Sequence, residues 1–220
     1  KSGVLGGATA DLLVVLARTA GERTDEEGLS LFLVEGAAPG VVRRGYRTVD
    51  GYGAAEITFH NARGEILGEA GSAFPAVEKA VARAILAVSA EALGAMERAR
   101  DLTIEYMHTR RQFGVPIGRF QALQHRMADV LIEIEQVRSA VVNVAGNLDA
   151  ARARREWHVS AAKNLVGRAG RQVAEEAIQI HGGMGMTWEY PVGHLAKRIV
   201  MIDHLFGDTD HHLERFIALS

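Results

Sequence analysis

The chain has 220 residues, with 25 Lys plus Arg against 27 Asp plus Glu and a formal net charge of −2. Balanced charge without a block of one sign excludes the footprint of a nucleic-acid binder and a polybasic membrane anchor, so neither partner is expected. Cysteine is absent, which excludes a disulfide framework, a thiol nucleophile and a thiolate metal site; a reducing cytosol is compatible with this, and a cytoplasmic location is the expectation. No apolar run approaches membrane-spanning length, and the first residue is Lys, so the chain need not begin where translation begins.

From Lys1 to about Ala70 the pattern is β. Leu12–Ala17 reads as a short buried strand and Leu29–Val34 as a second, closed by Ala38-Pro39-Gly40. Gly40–Arg44 and Ala55–His60 alternate like half-buried strands, and Ile66–Gly68 adds a short one. The intervening Arg23–Gly28 and Asp50–Gly53 have turn chemistry. Antiparallel hairpins follow, with too few strands to close a barrel or sandwich, which implies a partial β domain over residues 1–72.

Near Gly71-Ser72 the period changes, and residues 73–220 are predicted to form a helical domain. A first helix over Ala73–His108 carries Leu86, Leu93, Met96, Leu102 and Tyr106 on one face. A second carries Leu123, Met127, Val130, Ile134, Val137, Val141 and Leu148 at three- and four-residue steps. A third runs from about Arg155 to Ile180, with Trp157, Ala161, Leu165, Val173 and Ala177 as its apolar positions, and its short connection predicts antiparallel packing on the second. A shorter helix over Pro191–Ile202, a turn at Phe206–Asp208 and a last helix from about Asp210 complete the chain.

Two loops between these helices concentrate chemistry. Thr109–Gln121 holds Arg110 and Arg111, Gly114 and Gly118, Pro116, Phe113 and Phe120. Guanidinium forks beside such a loop suit an anion, phosphate above all; the plainer alternative is a helix–helix turn with a solvated basic rim. His181–Thr187 is rich in glycine but follows a helix rather than a strand, so it is not a dinucleotide fingerprint, and alone it reads as a helix stop. Gln121 and Gln179 lie beside the two loops and can each donate and accept. His125 and His181 flank them. His204, Asp208 and His212 recur every four residues, but Gly207 interrupts them and no further metal ligand is placed by the pattern. No Gly-x-Ser-x-Gly elbow supports a serine triad.

Arg110-Arg111-Gln112-Phe113-Gly114, followed by Pro116-Ile117 and Gln121, resembles the Arg-x-x-Phe-Gly-x-Pro-Ile…Gln signature of the acyl-CoA dehydrogenase family of flavoproteins. Gln179–Thr187, with Glu189-Tyr190-Pro191 behind it, is similar to that family's Gln-x-x-Gly-Gly-x-Gly segment, and Ala10-Asp11 with Leu31–Val34 and Pro39–Val41 to its middle β domain. The resemblance covers the C-terminal part of the family's length. It implies an α+β fold, a partial antiparallel β domain followed by an up-down four-helix bundle, whose N-terminal helices and first β half would precede Lys1. It implies FAD as cofactor, held across a subunit interface. Arg110 and Gln112 would contact the pyrophosphate region, Phe113 would pack on the adenosine part, and Gln121 would hydrogen-bond the cofactor. Gln179 with Gly182 and Gly183 would support the ADP moiety.

The implied reaction is α,β-dehydrogenation of an acyl-CoA thioester, a carboxylate removing the α-proton while the flavin takes the β-hydride. An electron-transfer flavoprotein or similar acceptor would follow, in a homo- or hetero-oligomer such as a tetramer. The family's usual base, a Glu in a Tyr-Glu-Gly-Thr-like segment, aligns with Phe206 or Gly207; the alternative position in the first bundle helix falls near Ala82–Ala84. Neither supplies a carboxylate. Glu91, about two turns from the second position, and Asp208, two residues from the gapless first one, are the candidate substitutes. The chain's ending and its Met186–His194 stretch are most similar to the small subunit of pimeloyl-CoA dehydrogenase-type enzymes, which implies a heteromer whose partner supplies the Glu. The alternatives are a homotetramer with Asp208 or Glu91 as displaced base, and a non-catalytic assembly subunit.

Overall fold

Alternating strands and glycine-bearing turns give two antiparallel sheets in the N-terminal part of the chain. The computed structural model describes residues 1–220. β1 (Val4–Leu5), β5 (Gly53–Phe59) and β4 (Val41–Arg47) form one sheet in that order; β2 (Leu12–Arg18), β3 (Leu29–Glu35) and β6 (Glu65–Leu67) form the other. The register sets Leu13 opposite Val34 in one sheet and Arg43 opposite Ile57 in the other. Leu13, Val34, Ala55 and Ile57 are buried together as the core that both sheets share. Gly28 is required by its turn: φ is +80°, and a Cβ there would lie 2.1 Å from the Ala20 carbonyl oxygen. β2 is not buried on both faces as its apolar run suggests, since Leu12 is 53% exposed and Val14 60%. A continuous apolar run hides the period of two that tells the faces apart.

The chain divides into two compact units, Lys1–Ala80 and Val81–Ser220. α1 (Phe74–Thr109) begins in the first and continues through the second. In the second unit α1 buries Ala82, Ile85, Ala92, Met96, Ala99 and Met107, whereas Leu86, Leu93 and Tyr106 are only partly buried against the core. Small side chains at the centre of the stripe let the neighbouring helices approach, and the large ones close its flanks.

α2 (Gln121–Asn147) buries the predicted stripe Met127, Val130, Ile134, Val137 and Val141. α3 (Arg152–His181) packs against α2, α4 (Pro191–Asp203) and α5 (Thr209–Ala218), so it is the central helix of the bundle. Its buried face is Val159, Ala162, Val166, Ala169, Val173 and Ala177; Trp157, Ala161 and Leu165 stand half-buried beside it. The same face buries charge. Glu156 lies between Arg155, at 2.6 Å, and Arg215 of α5, at 2.9 Å. Lys163 is wholly buried, and its Nζ donates to the carbonyls of Asp203 (2.7 Å) and Gly207 (2.8 Å). Pro191 starts α4 and Asp208 caps α5, its Oδ1 accepting from the His211 N–H at 2.9 Å. The architecture is α+β, a pair of antiparallel sheets followed by a helical bundle. No helix is long and apolar enough to cross a membrane.

Candidate functional site

α1 ends at Thr109 and α2 begins at Gln121; between them the chain makes a tight hairpin rather than a simple helix–helix turn. β7 (Arg111–Gln112) pairs with β8 (Val115–Pro116), leaving Phe113 and Gly114 as a two-residue turn. Both have positive φ, +54° and +82°, the conformation of a type I′ hairpin. Gly114 suits it. Phe113 does not, because a bulky side chain with positive φ is an outlier. It is 91% exposed, and its ring meets that of Phe120 edge to face, centroids 6.1 Å apart. Strain of this kind, with the side chain pushed into solvent, clusters at ligand-binding sites and makes Phe113 a candidate for one. The hairpin is anchored at both ends, by Arg110 N–H to the Tyr106 carbonyl and Ile117 N–H to the Arg110 carbonyl, each 2.8 Å.

The other wall comes from the end of α3. Gly182 closes the helix with φ +60°, its N–H donating to the Gln179 and Ile178 carbonyls. Neither Gly182 nor Gly183 has any atom within 4 Å of where a Cβ would be, so the backbone there is open to close approach. Together the two loops enclose a cleft of about 420 Å³, lined by Arg110, Gln112 and Phe113 from the hairpin and Gln179, Gly182 and Gly183 from the helix end. Six of the seven binding candidates therefore share one cleft. Gln121 does not line it; it is exposed at the first residue of α2.

The cleft has further members, of which the sequence reading did not single out Arg126. Arg126 of α2 lines it, and its Nε donates to Glu176 Oε2 at 2.5 Å; this hydrogen bond raises the guanidinium pKa further above its ordinary value. Arg126 falls three residues after Leu123 on the helix, and that spacing is the only signal that could have found it. Tyr106 and His181 form the floor, their rings stacked at 4.5 Å. His181 is buried: Nδ1–H donates to the Ala177 carbonyl at 2.8 Å, and Nε2 accepts from the Tyr190 hydroxyl at 3.3 Å. Burial lowers its pKa below the ordinary histidine value, so the ring is neutral near pH 7.

Both substitute bases are engaged elsewhere. The Glu91 carboxylate makes a two-pronged ion pair with Arg198, at 2.6 and 2.8 Å. Asp208 caps α5, and the His211 backbone N–H holds its carboxyl below the usual carboxylate range. At the aligned base positions Phe206 has φ +59° and Gly207 φ +97°. A Cβ on Gly207 would lie 2.4 Å from His211 Cδ2, so no larger residue fits there without rearrangement. Of the three spaced residues, His212 is buried with Nε2 donating to the Phe206 carbonyl at 3.0 Å, and no cluster of three His, Cys, Asp or Glu is placed to hold a metal ion.

Residues 71–218 match the family model described as acyl-CoA dehydrogenase, C-terminal domain. An acyl-CoA dehydrogenase, IpdE2, of Mycolicibacterium smegmatis is 37% identical over 61% of this chain and 42% of its own length. The structure of a glutaryl-coenzyme A dehydrogenase in complex with glutaryl-CoA superposes with a TM-score of 0.90 at 27% identity, covering 99% of this chain and 56% of that one. The ChsE4–ChsE5 complex from Mycobacterium tuberculosis gives a TM-score of 0.84 at 26% identity, over 99% of this chain and 57% of the other. The chain thus spans about half the length of the proteins it matches.

Proposed function

Because the chain belongs to the acyl-CoA dehydrogenase family, we propose that it forms one side of an FAD site in an enzyme that introduces a double bond between the α and β carbons of an acyl-CoA thioester. The observation that carries this is the cleft itself: a strained, exposed Phe113 beside the Arg110 guanidinium, facing two glycines with open backbone. A dinucleotide needs a flat apolar surface for a ring, cationic forks for phosphate oxygens and a backbone that can come close. Those three features lie on opposite walls of one cleft, and the group fits.

Arg110 holds phosphate oxygens through its guanidinium, and Gln112 adds an amide to the same region. Phe113 stacks on the adenine end. Gln179, Gly182 and Gly183 would support the ADP moiety from the other wall, and Gln121, which lies outside the cleft, would hydrogen-bond the cofactor. Arg126 supports Arg110 with a second cation, held in place by Glu176. FAD bound here would supply the acceptor for the β-hydride, and an electron-transfer flavoprotein or similar acceptor would be the partner for its electrons.

The α-proton must go to a positioned carboxylate. Glu91 and Asp208 are tied to Arg198 and the α5 N-terminus, which supports a reading in which a partner subunit supplies the carboxylate and the working enzyme is a heteromer. Similarity to the ChsE4–ChsE5 complex supports this arrangement. A homotetramer using Asp208 or Glu91 is less well supported, since either would have to leave a structural role to act. Co-expression of the intact subunit with a candidate partner, followed by anaerobic titration with acyl-CoA, tests the proposal. The flavin band of the complex should bleach, and a Glu→Gln change in the partner should stop it. Full bleaching by a homomer of this subunit would refute the heteromer.

A further inference from the structure

The last turns of α3 and the first turns of α4 enclose a second hollow, of about 330 Å³ and chiefly apolar, which shares no lining residue with the cleft. Two buried alanines, Ala174 of α3 and Ala196 of α4, line it and leave its space unfilled. The short 3-10 helix Gly182–Met186 closes against α4 where both carry glycine: a Cβ on Gly193 would lie 2.9 Å from the Gly185 carbonyl oxygen.

Trp188 lines this hollow yet is 73% exposed, and Met186 beside it is 80% exposed. A tryptophan that served only to pack the loop would bury its ring. This one is held in place while open to solvent. His194 Nε2–H donates to the Trp188 carbonyl at 2.7 Å, and its ring meets the indole edge to face, centroids 4.8 Å apart. The Lys197 ammonium lies 4.5 Å from the centre of the indole ring. An aromatic surface fixed before anything covers it costs little ordering when a ligand arrives. Charge on the rim is one-sided. Glu175 is paired with Arg171 at 2.8 Å, whereas Lys197 has no carboxylate partner. A lone ammonium suits one compact negative charge; a phosphate is better met by a guanidinium fork.

We propose that this hollow is a binding site for a small aromatic carboxylate, its ring laid against Trp188 and Met186 and its carboxylate at Lys197. The volume is at the lower end of the range of small-molecule pockets. It holds one or two rings but not a turn of a partner's helix, which is about 10 Å across. The Met186 thioether adds a polarisable contact to the ring. The site stands apart from the dehydrogenase reading, since none of its residues lines the cleft.

The test titrates the purified intact subunit, in the assembly it forms, with 2-naphthoate and with its neutral counterpart 2-naphthylmethanol by isothermal calorimetry. One 2-naphthoate should bind per chain with a Kd on the order of 100 μM. It should bind severalfold more tightly than the alcohol, by a margin that shrinks as salt is raised. Trp188→Ala should weaken 2-naphthoate roughly tenfold, the scale of a lost contact in an apolar pocket, and Trp188→Phe much less. Lys197→Met should bring acid and alcohol to equal affinity, with thermal midpoints unchanged in all three variants. No saturable binding, or equal affinity of the unmutated protein for acid and alcohol, overturns the inference. Binding that survives Trp188→Ala places the probe elsewhere and overturns it too. So does a hollow already covered by a second copy, read as no uptake of either probe together with a concentration-dependent mass in light scattering that Trp188→Ala abolishes.

Discussion

Phe113 offers a test in which strain and function separate. It is 91% exposed, so removing its ring loses little burial. The φ of +54° is unfavourable for any residue with a Cβ by about 1–2 kcal/mol. Phe113→Ala removes the ring and keeps that strain; Phe113→Gly removes both. Glycine gives back part of the gain through the extra freedom of its unfolded chain, about 0.4–1 kcal/mol. The glycine variant should therefore be more stable than the alanine variant by about 1 kcal/mol in urea denaturation. Both should lose cofactor affinity equally, roughly tenfold, as expected when a base loses an aromatic surface worth about 1–3 kcal/mol. Isothermal titration of flavin-stripped complex with FAD measures the second quantity. Equal stability of the two variants would refute the strained hairpin. Undiminished FAD affinity in both would refute the role of the ring.

Gly167→Ala should destabilise the bundle by about 3 kcal/mol, because its Cβ would meet Asp203 and Thr209 at 2.0 and 2.3 Å. Gly94→Ala, in α1 with no atom within 4 Å of its Cβ, should instead stabilise by about 0.5–1 kcal/mol; urea midpoints compare the two. Burial pushes the His212 imidazole down to about 4 from 6.5. The unfolded chain thus takes up this proton first as pH falls. The contribution of neutral His212 is whole above pH 6.5 and is lost progressively toward pH 4, by about 2 kcal/mol once partial solvent screening is allowed for. A His212→Gln variant should show a flatter stability profile in that window, and an unchanged slope would contradict the burial argument. Asp208→Ala should cost about 1 kcal/mol through loss of the α5 cap, whereas Asp208→Asn, which caps as well, should be near neutral. If Asp208→Asn instead abolished flavin bleaching by acyl-CoA, Asp208 would be the base after all.

The long helices were legible because their apolar residues recur at helical steps, and the stripe of α2 from Met127 to Val141 is buried as expected. The face of α1 was less so, because its centre is alanine, which carries little hydrophobic signal, and the eye goes to Leu86 and Leu93 on the flank. Buried charge was invisible. Nothing in the sequence marks Glu156 and Lys163 as buried, and only the fold shows that Arg215 and the α4–α5 turn wait for them. The hairpin at 111–116 was missed for a related reason: a type I′ turn is signalled by Asn-Gly or Asp-Gly, and Phe113-Gly114 breaks that rule. Six of the seven binding candidates converge because the residues that carry the family resemblance are also those that shape the two loops. Arg126 and Tyr106 join them from helix faces, where sequence spacing gives packing and not direction toward a cleft.

The central claim is that this chain holds part of a flavin through the walls built by Arg110–Phe113 and Gln179–Gly183. The most direct measurement is the FAD content of the purified complex with its partner, for the unmutated chain and for Arg110→Ala combined with Gln179→Ala. The account predicts bound FAD in the unmutated complex and its loss in the double variant, with the assembly still intact by light scattering. Full FAD content in the double variant, or none in the unmutated complex, would contradict it.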